Sequence, residues 1–174
     1  MKNKVKPSKE EFNELIKDLL ENDLVQEMRN YRQHYDVSTY DHCLNVAYLC
    51  YKFTRKHKSL DYKSMTRAAM LHDLYLYDWR NHVKQSFFQM HAFSHPKIAL
   101  NNARKIVKLN KKEEDIIKKH MWPLTIVPPR YRESYIITWY DKYSTLSETH
   151  QYYKNKRKQK KEAKKAQREE NKKK

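Results

Sequence analysis

Not one of the 174 residues is glycine. Glycine reaches left-handed backbone at no steric cost, so tight hairpins and phosphate-cradling loops depend on it. A Walker loop, a GxGxxG dinucleotide turn and a GxSxG nucleophile elbow are therefore excluded. What such a chain forms easily is helix. Start signals recur along it: Ser8 with Glu11 after Pro7, Ser38 with Asp41, Asp61, and Asn110 with Glu113. Each offers a side-chain oxygen to the free N–H groups of a first turn.

Apolar residues follow these starts at helical spacing. Leu15, Leu19, Leu20 and Leu24 mark a first helix, and a linker is expected near Tyr31 to Val37. Val46, Leu49 and Phe53 mark a second. Met65, Ala68, Ala69 and Leu76 mark a third, ending near Asp78. Trp79 to Phe93 reads as irregular. Ser94-His95-Pro96 reads as a new start, because proline suits the first helical position; Ile98, Ile106 and Leu109 follow it. A short helix with Ile116, Ile117 and His120 stops near Trp122-Pro123, and a last one runs from about Tyr131 to His150. No strand is expected. The predicted fold is all-α, a single bundle of about six helices. Residues 1–37 form an N-terminal helix and linker packed on it, 38–150 the core, and 151–174 a basic tail, disordered or a solvent-exposed helix.

Charge is uneven. Of the formal +17, an excess of nine falls between Lys154 and Lys174, where twelve Lys or Arg face three Glu. Such a segment attracts RNA or another polyanion through bulk electrostatics. Cys43 and Cys50 lie seven apart, about 10 Å along a helix, too far for a disulfide. Free thiols predict a reduced, cytoplasmic setting. The lysine-rich start, Met1 to Glu11, and the lack of a long apolar run predict neither a leader nor a membrane span.

Titratable residues fall on the apolar faces. His42 lies four before Val46 and seven before Leu49; His72 lies seven after Met65, with Asp73 adjacent. His120 lies three and four after Ile117 and Ile116, and Asp141 lies four after Ile137. A single buried histidine is most simply a hydrogen-bonded core residue. Several imidazoles and carboxylates buried together cost several kcal/mol unless a cation compensates. A divalent transition metal (iron, manganese, nickel, zinc or cobalt) suits this ligand set. His34, His57, His82 and His150 read as surface residues.

The ordered set His42, Leu71-His72-Asp73, His95-Pro96, His120 and Asp141 resembles the HD-domain superfamily of metal-dependent phosphohydrolases. The local sequences around Asp41-His42-Cys43, Ala69 to Leu74 and Tyr140 to Leu146 are similar to that family's motif helices, over about Ser38 to Glu148. The resemblance implies that His42, His72, Asp73 and Asp141 bind one ion, with His95 and His120 on a second. It also implies that His72 and Asp73 are the catalytic pair, and that the substrate is a small phosphomonoester or phosphoanhydride, most readily a nucleotide. Without glycine the chain lacks the motifs of the cyclic-dinucleotide branch. It also lacks the Glu-Asp pair of alarmone hydrolases; Asp78 is the nearest acid.

Arg80, Lys84 and Lys142 lie near the motifs and are the candidate cations for a phosphate; the simpler reading of each is an ordinary solvated residue in a lysine-rich chain. His91 is assigned to substrate rather than metal. A residue before proline avoids helical backbone, so His91 and His95 are not expected to share a helix face. Two other classes stay open: a catalytically silent bundle that holds RNA through its tail, and a structural bundle with buried histidines.

Overall fold

The computed structural model describes residues 6–81 and 91–171. Among them lie seven α-helices: α1 (Lys9–Leu20), α2 (Asp23–Glu27), α3 (Thr39–Thr54), α4 (Tyr62–Leu71), α5 (His91–Ile106), α6 (Lys111–Lys119) and α7 (Arg132–Asn171). The fold is essentially all-α, as expected, with one helix more than the sequence suggested. Four starts match their sequence signals. Ser8, Ser38, Asp61 and Asn110 accept from the backbone N–H of Glu11, Asp41, Ser64 and Glu113. At α6 the capping box is complete, with Glu113 accepting from the Asn110 N–H. At α1 it is not: the Glu11 carboxylate instead receives the Tyr51 hydroxyl and the Arg55 guanidinium.

α4 is the hub. It packs on α1, α3, α5, α6 and α7, and Ser64, Met65, Thr66, Ala68, Ala69, Met70 and Leu71 are all buried. Ala68 and Ala69 let neighbouring backbones approach closely. Arg67 is the residue of this stretch that reaches solvent, in a paired contact with Asp18 at 2.6 and 2.8 Å. α1 covers one side with Phe12, Ile16 and Leu19. On α3 the inward line is His42, Cys43, Val46, Ala47 and Cys50, while Leu49 and Phe53 are half-buried. The stripe is thus turned from the one read off Leu49 and Phe53, because tyrosines and cysteines also fill the core. Both cysteines are free and buried.

Several expectations need correction. The linker after α2 forms a small antiparallel ribbon, β1 (Arg32–His34) with β2 (Val37–Ser38), in the register Arg32 to Ser38 and His34 to Val37. With no glycine available, the left-handed position in its turn falls to Tyr35 (φ 49). Leu76 (φ 55) takes the other, just after the site residues; such non-glycine positions cost about 1–3 kcal/mol each. α4 ends at Leu71, not near Asp78, so Leu76 lies outside it.

Pro96 stands inside α5, and both His91 and His95 belong to that helix. The bias of a pre-proline residue is weak, and burial of His95, Pro96, Ala99, Leu100 and Ala103 overrides it. α7 does not stop at His150 but continues through the basic segment to Asn171. Lysine, arginine, glutamine and alanine are good helix formers, and pairs such as Lys158–Glu162 and Lys165–Glu169 span single turns. No described helix is long and apolar enough to cross a membrane.

Candidate metal centre

Five helices deliver the centre. His42 comes from the first turns of α3, His95 from α5 and Asp141 from α7. His72 and His120 are the C-cap residues of α4 and α6. Asp73 follows His72 directly. All six are buried, Asp141 the least at 9% exposed.

Among the described residues two groups of ligand atoms form, His42 with His72 and Asp73, and Asp73 with His95 and His120; within each the atoms lie within 4.8 Å of one another. Asp73 belongs to both. Its Oδ2 lies 3.5 Å from His72 Nε2, and its Oδ1 lies 3.2 and 3.4 Å from His95 and His120 Nε2. Asp141 stands outside both groups, but its Oδ1 lies 3.0 Å from His42 Nε2 and 3.8 Å from His72 Nε2.

The tautomers follow from local bonds. His72 Nδ1 lies 2.7 Å from the Ala69 carbonyl, His120 Nδ1 2.8 Å from the Ile117 carbonyl, and His95 Nδ1 2.7 Å from the His91 carbonyl. A carbonyl only accepts, so each Nδ1 carries the hydrogen and each neutral ring keeps a lone pair on Nε2. The last carbonyls of a helix lack an internal partner, and in α4 and α6 the histidine supplies one. His42 Nδ1 faces both oxygens of Glu148 at 3.1 Å. The same logic assigns it a hydrogen and leaves Nε2 toward Asp141.

These lone pairs converge. His95 Nε2 and His120 Nε2 are 2.8 Å apart. Among the described residues, His72 Nε2 and Asp73 Oδ1 are buried with no hydrogen-bond partner. An arrangement of acceptors facing acceptors is unfavourable by itself and fits a cation. The negative ends of α4 and α6 close on the same place, which also favours positive charge. The buried His/Asp groups are therefore able to hold a metal ion.

Without metal, protons take the cation's place on two of the rings, His42 and His72. Burial lowers the pKa of His42, but hydrogen bonds to Asp141 and Glu148 outweigh it and lift the imidazole to about 10. Burial works against ionised Asp141 and Asp73, yet the histidines beside each hold both carboxyls well below the usual range. Burial lowers His120, only partly offset by Asp73, and so favours its neutral form. At His72, burial is overcome by the Cys43 thiol, Asp73 and Asp141, and its pKa rises well above the ordinary value.

A second layer of residues went unread in the sequence. The Gln33 amide donates to Asp73 Oδ2 at 2.7 Å, and the Tyr75 hydroxyl donates to Gln33. Glu148 holds His42, and Ser144 donates to Glu148 at 2.6 Å. Asp141, Ser144 and Glu148 fall at i, i+3 and i+7 of one helix, a spacing that announces a shared face. Gln33 sits in the ribbon, 40 positions from Asp73, with no periodic signal.

His34 is a correction: it is half-buried, its ring 6.0 Å from that of His42, because the ribbon folds back over α3. His57 and His150 are exposed, and His82 lies outside the described residues.

Of the residues assigned to substrate, His91 shares a helix face with His95, rings stacked at 4.5 Å. This reverses the expectation drawn from Pro96. His91 Nδ1 lies 3.0 Å from the Tyr77 hydroxyl, and Trp79 stacks on its ring at 5.5 Å. It belongs to neither ligand group. Arg80 is exposed and paired with Asp78 at 2.6 Å. Lys142 is exposed, with Nζ 3.3 and 3.4 Å from the Trp122 and Thr138 carbonyls. Lys84 lies outside the described residues. A groove of about 540 Å³ beside α7, lined in part by Tyr35, Tyr152 and Lys156, touches the centre through Glu148.

No family model, no curated protein and no solved structure matches the chain.

Proposed function

We propose that the chain is a metal-dependent phosphohydrolase of the HD type, acting on a phosphomonoester or phosphoanhydride, most readily a nucleotide. The observation that carries the reading is the convergence of four Nε2 atoms, their Nδ1 atoms already committed, around one carboxylate shared by two groups. His42, His72, Asp73 and Asp141 would hold one ion, and Asp73, His95 and His120 a second. Bound metal of this kind makes hydroxide available near neutral pH and polarises a phosphoryl oxygen.

The chain's own residues fix the geometry. Glu148 orients His42, and Gln33, held by Tyr75, orients Asp73. Such supporting contacts commonly account for 10–100-fold in affinity or activity, to order of magnitude. Lys142 follows Asp141 directly and is the cation proposed for a phosphate oxygen. Arg80 would exchange Asp78 for the phosphate to do the same.

The test pairs elemental analysis with a screen of nucleotides and phosphomonoesters in the presence of iron, manganese, cobalt, nickel or zinc. Bound metal and metal-dependent phosphate release, lost in Asp73→Asn, are expected. Bound metal with no release from any substrate would move the reading to a second class, a non-catalytic helical module that binds RNA or another polyanion. The basic length of α7 favours that alternative. No bound metal, with no uptake on addition, would leave a structural bundle.

A further inference from the structure

α7 has two faces with different work. At 100° per residue, Ile137, Asp141, Ser144 and Glu148 share the inner face, which packs on the bundle and reaches the centre. The outer face carries Tyr135, Trp139, Tyr143, Leu146 and Tyr153, which are 44%, 69%, 52%, 70% and 49% exposed. These five fall within about 40° of one line along the helix. The same line continues through Arg157, Lys161, Lys164 and Arg168, all exposed. No acidic residue of α7 falls within about 60° of it. The face is aromatic for its first five turns or so and cationic thereafter.

Lysines and arginines scattered on a solvated helix do not produce this order. Four aromatic rings left largely in water are costly: Trp122 meets the edge of Tyr135 and Tyr35 that of Tyr153, yet every one of the four keeps nearly half of its surface or more exposed. The geometry points to a binding surface for single-stranded nucleic acid on the outer face of α7, with bases stacking on Trp139, Tyr143 and Tyr153 and phosphates running onto the Arg157–Arg168 row. Every base has a stacking face, and such platforms combine rings with a cationic track. The cationic steps of three and four residues recur about every 4.5–6 Å along the axis. The order of the face separates this partner from an anionic membrane: an interfacial helix sets its apolar residues and its cations on opposite faces, whereas here they follow one another along one line. The row of cations opposes a second copy of the chain, since like charges would meet. The surface lies across the helix from Asp141 and Glu148, so it is independent of the proposed hydrolase reading.

Fluorescence anisotropy of the full chain with a labelled 20-nucleotide oligo(U), and with an RNA duplex of equal length, tests the proposal. Tighter binding of the single strand is expected, with quenching of tryptophan emission. The double variant Trp139→Ala/Tyr143→Ala should weaken single-strand binding about tenfold or more while keeping its dependence on salt. Arg157→Ala/Lys161→Ala/Lys164→Ala should instead flatten the salt dependence. The changed side chains are exposed, and circular dichroism checks that the helix persists. Equal affinity for duplex and single strand, with no effect of the aromatic changes, would reduce the surface to a plain polycation and overturn the proposal. So would binding to phosphatidylserine vesicles without binding to oligo(U), or self-association abolished by Trp139→Ala with oligo(U) binding untouched.

Discussion

His95 Nε2 and His120 Nε2 face each other at 2.8 Å, although each ring has spent its Nδ1 hydrogen on a carbonyl of its own helix. Two lone pairs at that distance repel unless a proton or a metal lies between them. Asp73 Oδ1, close to both nitrogens, makes the place still more attractive to a cation. The pair expresses how the whole centre is built: local bonds set each tautomer, and packing brings the tautomers into opposition.

Asp73→Asn should remove a charge shared by both ligand groups. Bound metal should fall by more than half and phosphate release to background, with helical circular dichroism near the parent's. A variant that keeps its full metal content would show that Asp73 is not the shared ligand.

His120→Ala separates one ion from two. His42, His72, Asp73 and Asp141 remain in place, so about one equivalent of metal should stay bound where the parent binds about two. An unchanged count in both His95→Ala and His120→Ala would leave a single ion and remove these histidines from the ligand set.

The metal-free protein should become less stable as pH rises. His42 titrates near 10 in the fold against about 6.5 unfolded, so its contribution is complete below about 6.5 and is lost as pH climbs through about 10. Asp141, held below the usual carboxyl range, contributes above about 4 and loses that contribution as pH falls. Metal competes with the His42 proton, so metal binding should strengthen over the same rise. The urea midpoint should drop between pH 6 and pH 9 without metal, and hold or increase with saturating manganese. A metal-free midpoint that rises over this interval contradicts the pairing of His42 with Asp141 and Glu148.

Glu148→Gln keeps an acceptor for His42 Nδ1 but removes the charge. Metal affinity should fall by about 10–100-fold with little change in fold, as read by competition against a chelator. Unaltered affinity would make Glu148 a passive neighbour.

Ile137→Ala tests the packing that carries Asp141. Ile137 is fully buried one turn before it. The change should cost about 2–5 kcal/mol in urea unfolding while leaving metal binding intact under native conditions.

Much of this was legible in the residues. Capping oxygens at Ser8, Ser38, Asp61 and Asn110 act within three residues, so their sequence signals hold whatever the tertiary context. The inward direction of His42, His72, His120 and Asp141 follows from helical period against neighbouring apolar residues. Even the tautomers of His72, His95 and His120 depend on carbonyls three or four positions earlier. What only the tertiary structure decided is convergence. Four helices, α3, α5, α6 and α7, had to pack around α4 for Asp73 to meet His95 and His120, and for Glu148 to reach His42 across 106 positions. Packing also overrode the preference of the residue before Pro96, and it folded Gln33 onto Asp73 from a stretch with no period. Helical spacing fixes a side chain's direction within its own helix; the distance between two such side chains is set by how the helices pack, a relation that no local pattern contains.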